Sequence, residues 1–201
     1  MAAATEGGSR FAAATAGLWA SLVALAAALV ITGFVWPGGA DADVPEGAPV
    51  RLRLPELHRT TPVVPIKLEG NVLDPPRNVK QVGWWRGSAK PGARQGQTVI
   101  TGHTVHTGGG SLNRLDHLQV DQRVTVITTK ARISYEVDEV EVLSRRELAE
   151  QAPELFGQDH GDGRLVLVTC TDWNGREYES NVVVIAHRYA AQERTPAKAG
   201  G

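Results

Sequence analysis

The stretch RVTVITTKARISYEVDEVEV, residues 123–142, alternates apolar and polar side chains on either side of a short basic connection. Period-two alternation places one face of an extended chain against a core and the other in solvent. Arg123–Thr129 and Ile133–Val142 therefore read as two strands, joined at Lys130-Ala131-Arg132. Toward the C-terminus, LVLVT (165–169) is a continuous apolar run and NVVVIA (181–186) another, suited to central strands. Toward the N-terminus, Gln97–Ile100 is a short apolar strand running into Thr101-Gly102-His103, and Val50–Leu54 alternates apolar and basic residues. Pro62–Leu68 is Pro-bounded and is expected at a sheet edge, because proline cannot donate to a ladder. Two helical pieces fit between these strands. Ser111–Leu118 is one; Ser144–Phe156 is the other, opening on a capping-box pattern and expected to break at Pro153. Many short strands with turn signals indicate an all-β barrel or sandwich.

Outside this region the composition changes. No charged residue occurs between Arg10 and Asp41, and Phe11–Trp36 is rich in Ala, Leu, Val and Ile. About 20 such residues suffice to cross a bilayer. The segment is longer than a usual signal-peptide core, which favours an uncleaved anchor. The competing reading is a signal peptide cut near Gly38-Gly39-Ala40. Either exports the remainder. The expected organisation is a cytoplasmic 1–10, a transmembrane anchor 11–36, a Pro/Gly/Ala/Asp linker 37–49, a catalytic domain 50–190 and a loose tail 191–201.

Composition excludes several classes. The net charge is −1, which gives no basic footprint for nucleic acid. A single cysteine excludes an intrachain disulfide framework and any site needing several thiolates. His103 and His106 in HTVH lack carboxylate or thiolate partners at metal-ligand spacing. Asp138, Glu139 and Glu141 read as an exposed strand face as readily as a calcium site. No metal or cofactor is expected.

The chemistry centres on Cys170, directly after LVLVT and before a polar turn. A strand end holds a side chain rigidly and the loop beyond leaves it reachable. A thiol is mostly protonated at neutral pH and needs a basic or cationic neighbour to act as a nucleophile. His103, at the end of another strand, is the leading candidate. Trp173 is placed either in a groove wall or in simple loop packing, Trp84-Trp85 under a rim, and Gly108-Gly109-Gly110 in a loose loop.

Leu167-Val168-Thr169-Cys170 resembles the sortase Thr-Cys signature, and Thr101-Gly102-His103 the sortase Gly-His segment. Val82-Gly83-Trp84-Trp85-Arg86, Lys90-Pro91-Gly92, the Leu112–Leu118 piece and Asn181-Val182-Val183-Val184 extend the resemblance to actinobacterial class F sortases, over roughly residues 50–190. The resemblance implies a closed eight-stranded sortase-like β-barrel with short helices, preceded by one N-terminal transmembrane helix. It implies a membrane-anchored cysteine transpeptidase with its catalytic domain outside the cytoplasm. Cys170 would attack an LPXTG-like sorting signal at Thr–Gly. An amine of a peptidoglycan precursor or a pilin lysine would resolve the acyl-thioester, with His103 as acid and base. An arginine should open the strand after the Cys loop. That position falls on Asn181, with Glu179 two residues earlier. Arg176 is the nearest replacement; Arg114, Arg188 and Arg86 are alternatives. Two further readings stay open: a degenerate anchored barrel that only binds peptide or wall polymer, supported by the missing arginine, and a hydrolytic cysteine protease in which water resolves the thioester.

Overall fold

The computed structural model describes residues 44–70 and 72–193. Eight strands form one closed barrel: β1 (Pro49–Leu54), β2 (Arg59–Ile66), β3 (Val82–Trp85), β4 (Gly96–Gly102), β5 (Arg123–Thr128), β6 (Ala131–Ser144), β7 (Asp162–Trp173) and β8 (Tyr178–Glu193). Their order around the barrel is β1-β2-β3-β4-β7-β8-β6-β5, with β5 closing onto β1. Two neighbouring pairs, β2–β3 and β4–β7, run parallel; the others are antiparallel. The expected anchor, 11–36, and residues 194–201 of the expected tail lie outside the described residues; residues 191–193 of that tail are instead the end of β8.

Period-two alternation sorts the side chains into two cores. Val124 and Val126 of β5, Ile133, Tyr135 and Val137 of β6, Leu165 and Leu167 of β7, and Val182 and Val184 of β8 fill the barrel. The residues between them, Val166, Val168 and Val183, form a second cluster with Val99 and Leu143 on the outer wall. That cluster is covered by α1 (Arg145–Phe156), whose Leu148, Leu155 and Phe156 pack into it. A register shift between Val137 and Glu139 switches the parity of β6, and this is why Leu143 points outward.

Several expectations are corrected. Pro62–Leu68 belongs to β2, which is not an edge: Pro62 pairs with Arg51 of β1 and Val63 with Val82 of β3. Closure of the barrel removes edges altogether. Ser111–Leu118 is not a regular helix. Arg114 takes a left-handed conformation (φ 68°), leaving only a single 3-10 turn at Leu115–His117. Pro153 does not break α1. The helix starts on the expected capping box, Ser144 with Glu147, and runs through Pro153 to Phe156. Residues 82–85, which show no period in sequence, form β3.

Candidate active site

The parallel register of β4 and β7 brings the two candidate residues together. Thr101 pairs with Val168; the same register carried on by two residues sets His103 beside Cys170. Both share parity with the outward Val99 and Val168, so both belong to the outer face at the same end of the barrel. Cys170 lies within β7 rather than after it, and its cross-strand partner on β8 is Asn181.

The residue before each of them explains the spacing of the motifs. Thr169 has inward parity and is buried. Its hydroxyl donates to the Gly102 carbonyl at 2.9 Å, and the Thr104 hydroxyl lies 2.9 Å away on its other side. A hydroxyl has one proton, so the Thr104 O–H donates to Thr169 as Thr169 donates to Gly102. This relay staples the end of β4, on both sides of His103, to the strand that carries Cys170. Gly102 has no room for a side chain: a Cβ there would lie 2.6 Å from Ser111 Oγ and 2.8 Å from Leu112 Cγ. Ser111 Oγ accepts from the His103 N–H (3.2 Å), and Leu112 N–H donates to the His103 carbonyl (3.1 Å).

The His103 ring is oriented by Pro76, whose carbonyl lies 2.9 Å from Nε2. A carbonyl only accepts, so Nε2 carries the proton and Nδ1 is the nitrogen left for other work. Among the described residues no hydrogen bond joins His103 to Cys170. Burial pushes the Cys170 thiol above its ordinary value, opposed by the positive charge of Arg145. Arg145 opens α1. Its guanidinium donates to Glu177 Oε2 at 2.9 Å and to the Tyr178 carbonyl at the start of β8.

A groove of about 450 Å³ runs between the segment after β4 and the β7–β8 hairpin, with Thr104, His106 and Asn113 on one side and Thr171, Trp173 and Tyr178 on the other. Trp173 stacks flat on His106, with ring centroids 4.4 Å apart, and tilts against Tyr178 at 5.0 Å. The Gly108-Gly109-Gly110 segment is tied at its base by Asn113, which both donates to and accepts from the Val105 backbone. Trp84 is buried in the barrel, and Trp85 packs into the outer cluster.

The candidate arginines are dispersed. Arg176 is exposed on the β7–β8 turn, and its side chain has no hydrogen bond or ion pair among the described residues. Arg114 lines the groove and lies 3.2 Å from His117 Nδ1. Arg188 donates to the Gly92 carbonyl, seven positions along β8 from Asn181, roughly 23 Å at the usual strand rise. Glu179 is held by Asn174 Nδ2 at 2.8 Å.

Sequence reading missed the Thr104–Thr169–Gly102 relay, Pro76 and Arg145. Strand parity alone was enough to place the Thr169 hydroxyl inward. Nothing local to Pro76 or Arg145 signals a tertiary neighbour.

The family model "Sortase domain" matches residues 52–189. Among solved structures the chain is similar to sortase C-1 from Actinomyces oris (TM-score 0.53, 21% identity, covering 74% of this chain and 73% of that one). It is also similar to sortase A from Corynebacterium diphtheriae (0.55, 21%, 79% and 66%) and to the pilus-related sortase C of Group B Streptococcus (0.54, 21%, 72% and 68%). At these identities the likeness carries the fold. No curated protein sequence matches the chain.

Proposed function

The chain belongs to the sortase family of cysteine transpeptidases, and from that premise we propose that it cleaves an LPXTG-like sorting signal at Thr–Gly and transfers the acyl part to an amine. The observation that carries the reading is the parallel β4–β7 pairing, stapled by Thr169, which brings Cys170 and His103 to the same end of the barrel, each next in the chain to a residue that lines the groove, Thr171 and Thr104.

The chemistry follows from the groups present. The Cys170 thiol loses its proton to Nδ1 of His103, and the thiolate adds to the Thr carbonyl carbon. The carbonyl electron pair moves onto oxygen. Collapse of the tetrahedral adduct breaks the C–N bond, and the departing glycine amine takes the proton from His103. An incoming amine then adds to the thioester, gives a proton to His103, and expels Cys170 as thiolate. One imidazole serves both half-reactions by microscopic reversibility. Burial holds the thiol protonated at rest, so the nucleophile is unmasked only when His103 takes its proton.

In the same proposal the protein is a single-pass membrane protein anchored by residues 11–36, with its barrel outside the cytoplasm. The acceptor is a peptidoglycan-precursor amine or a pilin lysine, and the subtype is the actinobacterial class F. The sequence motifs quoted above support this finer reading.

Intact-mass spectrometry tests it. The full chain is incubated with an LPXTG-type peptide, with and without an added amine. An acyl adduct on Cys170, absent from Cys170→Ala and converted to an amide by the amine, is the expected result. Conversion to the free acid alone, with amine present, would make the protein a hydrolase. No adduct on a demonstrably free thiol would refute acyl transfer from this signal.

A further inference from the structure

We propose that a second cavity, which shares the segment after β4 with the groove, is a binding site for the dianionic phosphate group of a small ligand, a phosphate ester or a pyrophosphate. The inference is independent of the acyl-transfer reading.

The cavity has a volume of about 360 Å³ and is lined from three places in the chain: the start of β2, the approach to β3 and the segment after β4. Each wall is pinned to the other two. The parallel β2–β3 pairing brings the first two together, and the Thr61 hydroxyl donates to the Lys80 carbonyl at 2.6 Å. The Ser111 N–H donates to the Val79 carbonyl at 2.7 Å, which joins the third wall to the second. Arg59 Nη1 donates to the Gly110 carbonyl at 3.0 Å, which joins it to the first. Walls fixed in advance lose little freedom when a ligand arrives.

The charge lining the cavity has one sign. His58, Arg59 and Lys80 line it, and no carboxylate does. The groove is different, with Arg114 and His117 mixed among Asp116 and Asp172. A cleft lined by one sign of charge concentrates ions of the other. These charges are also unanswered within the protein. Among the described residues His58, Arg59 and Lys80 form no ion pair. Arg59 is half-buried, and its only side-chain bond is the one to the neutral Gly110 carbonyl, so the rest of its guanidinium fork donates to nothing. A half-buried cation without a counter-ion carries a desolvation cost that a bound anion would offset.

A neutral donor points to the same ligand. Ser111 lines the cavity and is 3% exposed. Its Oγ accepts from the His103 N–H at 3.2 Å, and its own proton has no acceptor among the described residues. Buried hydroxyl protons are normally satisfied. The Thr60 hydroxyl, which also lines the cavity, is unspent as well. Guanidinium, ammonium and free hydroxyl protons together ask for a group that only accepts. Phosphate offers several acceptor oxygens and two negative charges, matching the two permanent cations; a monocarboxylate would leave one of them unmatched. The volume is at the small end of ligand pockets, which suits a phosphate bearing a small substituent or a second phosphate.

The test titrates the full nitrogen-15-labelled chain, in detergent micelles at constant ionic strength, with inorganic phosphate, pyrophosphate, succinate and acetate, followed by NMR shifts. Saturable shifts are expected at the amides of Thr60, Gly109, Ser111 and His103, with pyrophosphate and phosphate binding more tightly than acetate. Lys80→Ala removes an exposed side chain that bonds nothing in the protein, so the fold should be kept while phosphate binding weakens at least about tenfold. Arg59→Ala should weaken it further, and Arg146→Ala, on α1, should leave it unchanged. Shifts that do not saturate and are scattered over basic residues would mean screening alone and would overturn the proposal. A phosphate affinity unchanged in both Lys80→Ala and Arg59→Ala would do the same. Succinate binding more tightly than either phosphate probe would overturn the assignment to phosphate and make the ligand a dicarboxylate.

Discussion

Replacing Thr169 with valine removes one oxygen and keeps the shape of the side chain, so it isolates the relay that binds the two halves of the site. Thr169 is 2% exposed and takes part in two hydrogen bonds, one to the Gly102 carbonyl and one from Thr104, each 2.9 Å. Each is worth about 1 kcal/mol net. The methyl group that replaces the hydroxyl returns up to about 0.8 kcal/mol if it is buried. The balance is a loss of about 1–1.5 kcal/mol, or roughly 3–6 °C in Tm for a domain of this size. The effect on rate should be larger. Without the staple, the end of β4 is free to shift relative to Cys170, and a misplacement of about 1 Å costs on the order of 10²-fold. Thr169→Ser provides the contrast. It loses a buried methyl, and so some stability, but keeps the hydroxyl and the rate. The assays are thermal melts followed by tryptophan fluorescence and amine-dependent peptide transfer measured on the same preparations. Valine with wild-type transfer, or serine as slow as valine, would refute the reasoning.

Three other outcomes are expected. Gly102→Ala places a Cβ 2.6 Å from Ser111 Oγ and 2.8 Å from Leu112 Cγ, so it should cost about 1–3 kcal/mol in urea unfolding and disturb the His103 backbone anchor; a stability equal to wild type would show that the loop yields freely. Tyr135 is buried in the barrel with its hydroxyl near Thr98 and Gly92 but in no hydrogen bond of proper geometry, and burial raises its pKa to about 12. Since the folded value lies above the unfolded one, wild type should lose about 2–3 kcal/mol as pH rises from about 10 to 12, whereas Tyr135→Phe should be spared that loss and be no less stable at pH 7; parallel losses in both proteins would contradict this. Because burial raises the Cys170 thiol, its alkylation at pH 7 should be slower than that of an unstructured cysteine peptide and should climb at higher pH; faster reaction in the free enzyme would mean the thiolate is already formed.

Residues 123–142 could be read from sequence because both of their strands have one buried face, and alternation survives wherever that is so. Cys170 and His103 were legible for a related reason: each closes an apolar run. What failed depends on neighbours distant in the chain. Pro62 suggested an edge, yet closure gives β2 a partner on each side, a fact absent from its own residues. The four residues of β3 are too short, and Gly83-Trp84-Trp85 too irregular, to show a period. The Ser111–Leu118 pattern looked helical because backbone handedness at Arg114 leaves no trace in polarity. Arg145 was read as part of a capping box, correctly as to local structure. That it stands beside β8 is a property of the β6–β8 register alone.

The parallel neighbours β4 and β7 also govern when the site comes into being. Thr169 and Gly102 are 67 residues apart in the chain, and β1 waits on β5 in the same way. Neither contact forms early, since long loops must close before either is rewarded; such topologies fold in milliseconds to seconds rather than microseconds. A chain that has emerged only as far as β6 possesses His103 but not Cys170, and β4 still lacks one of its two flanking strands. Cys170 and His103 meet only when nearly the whole barrel has assembled, so the candidate site is among the last parts of the fold to be completed.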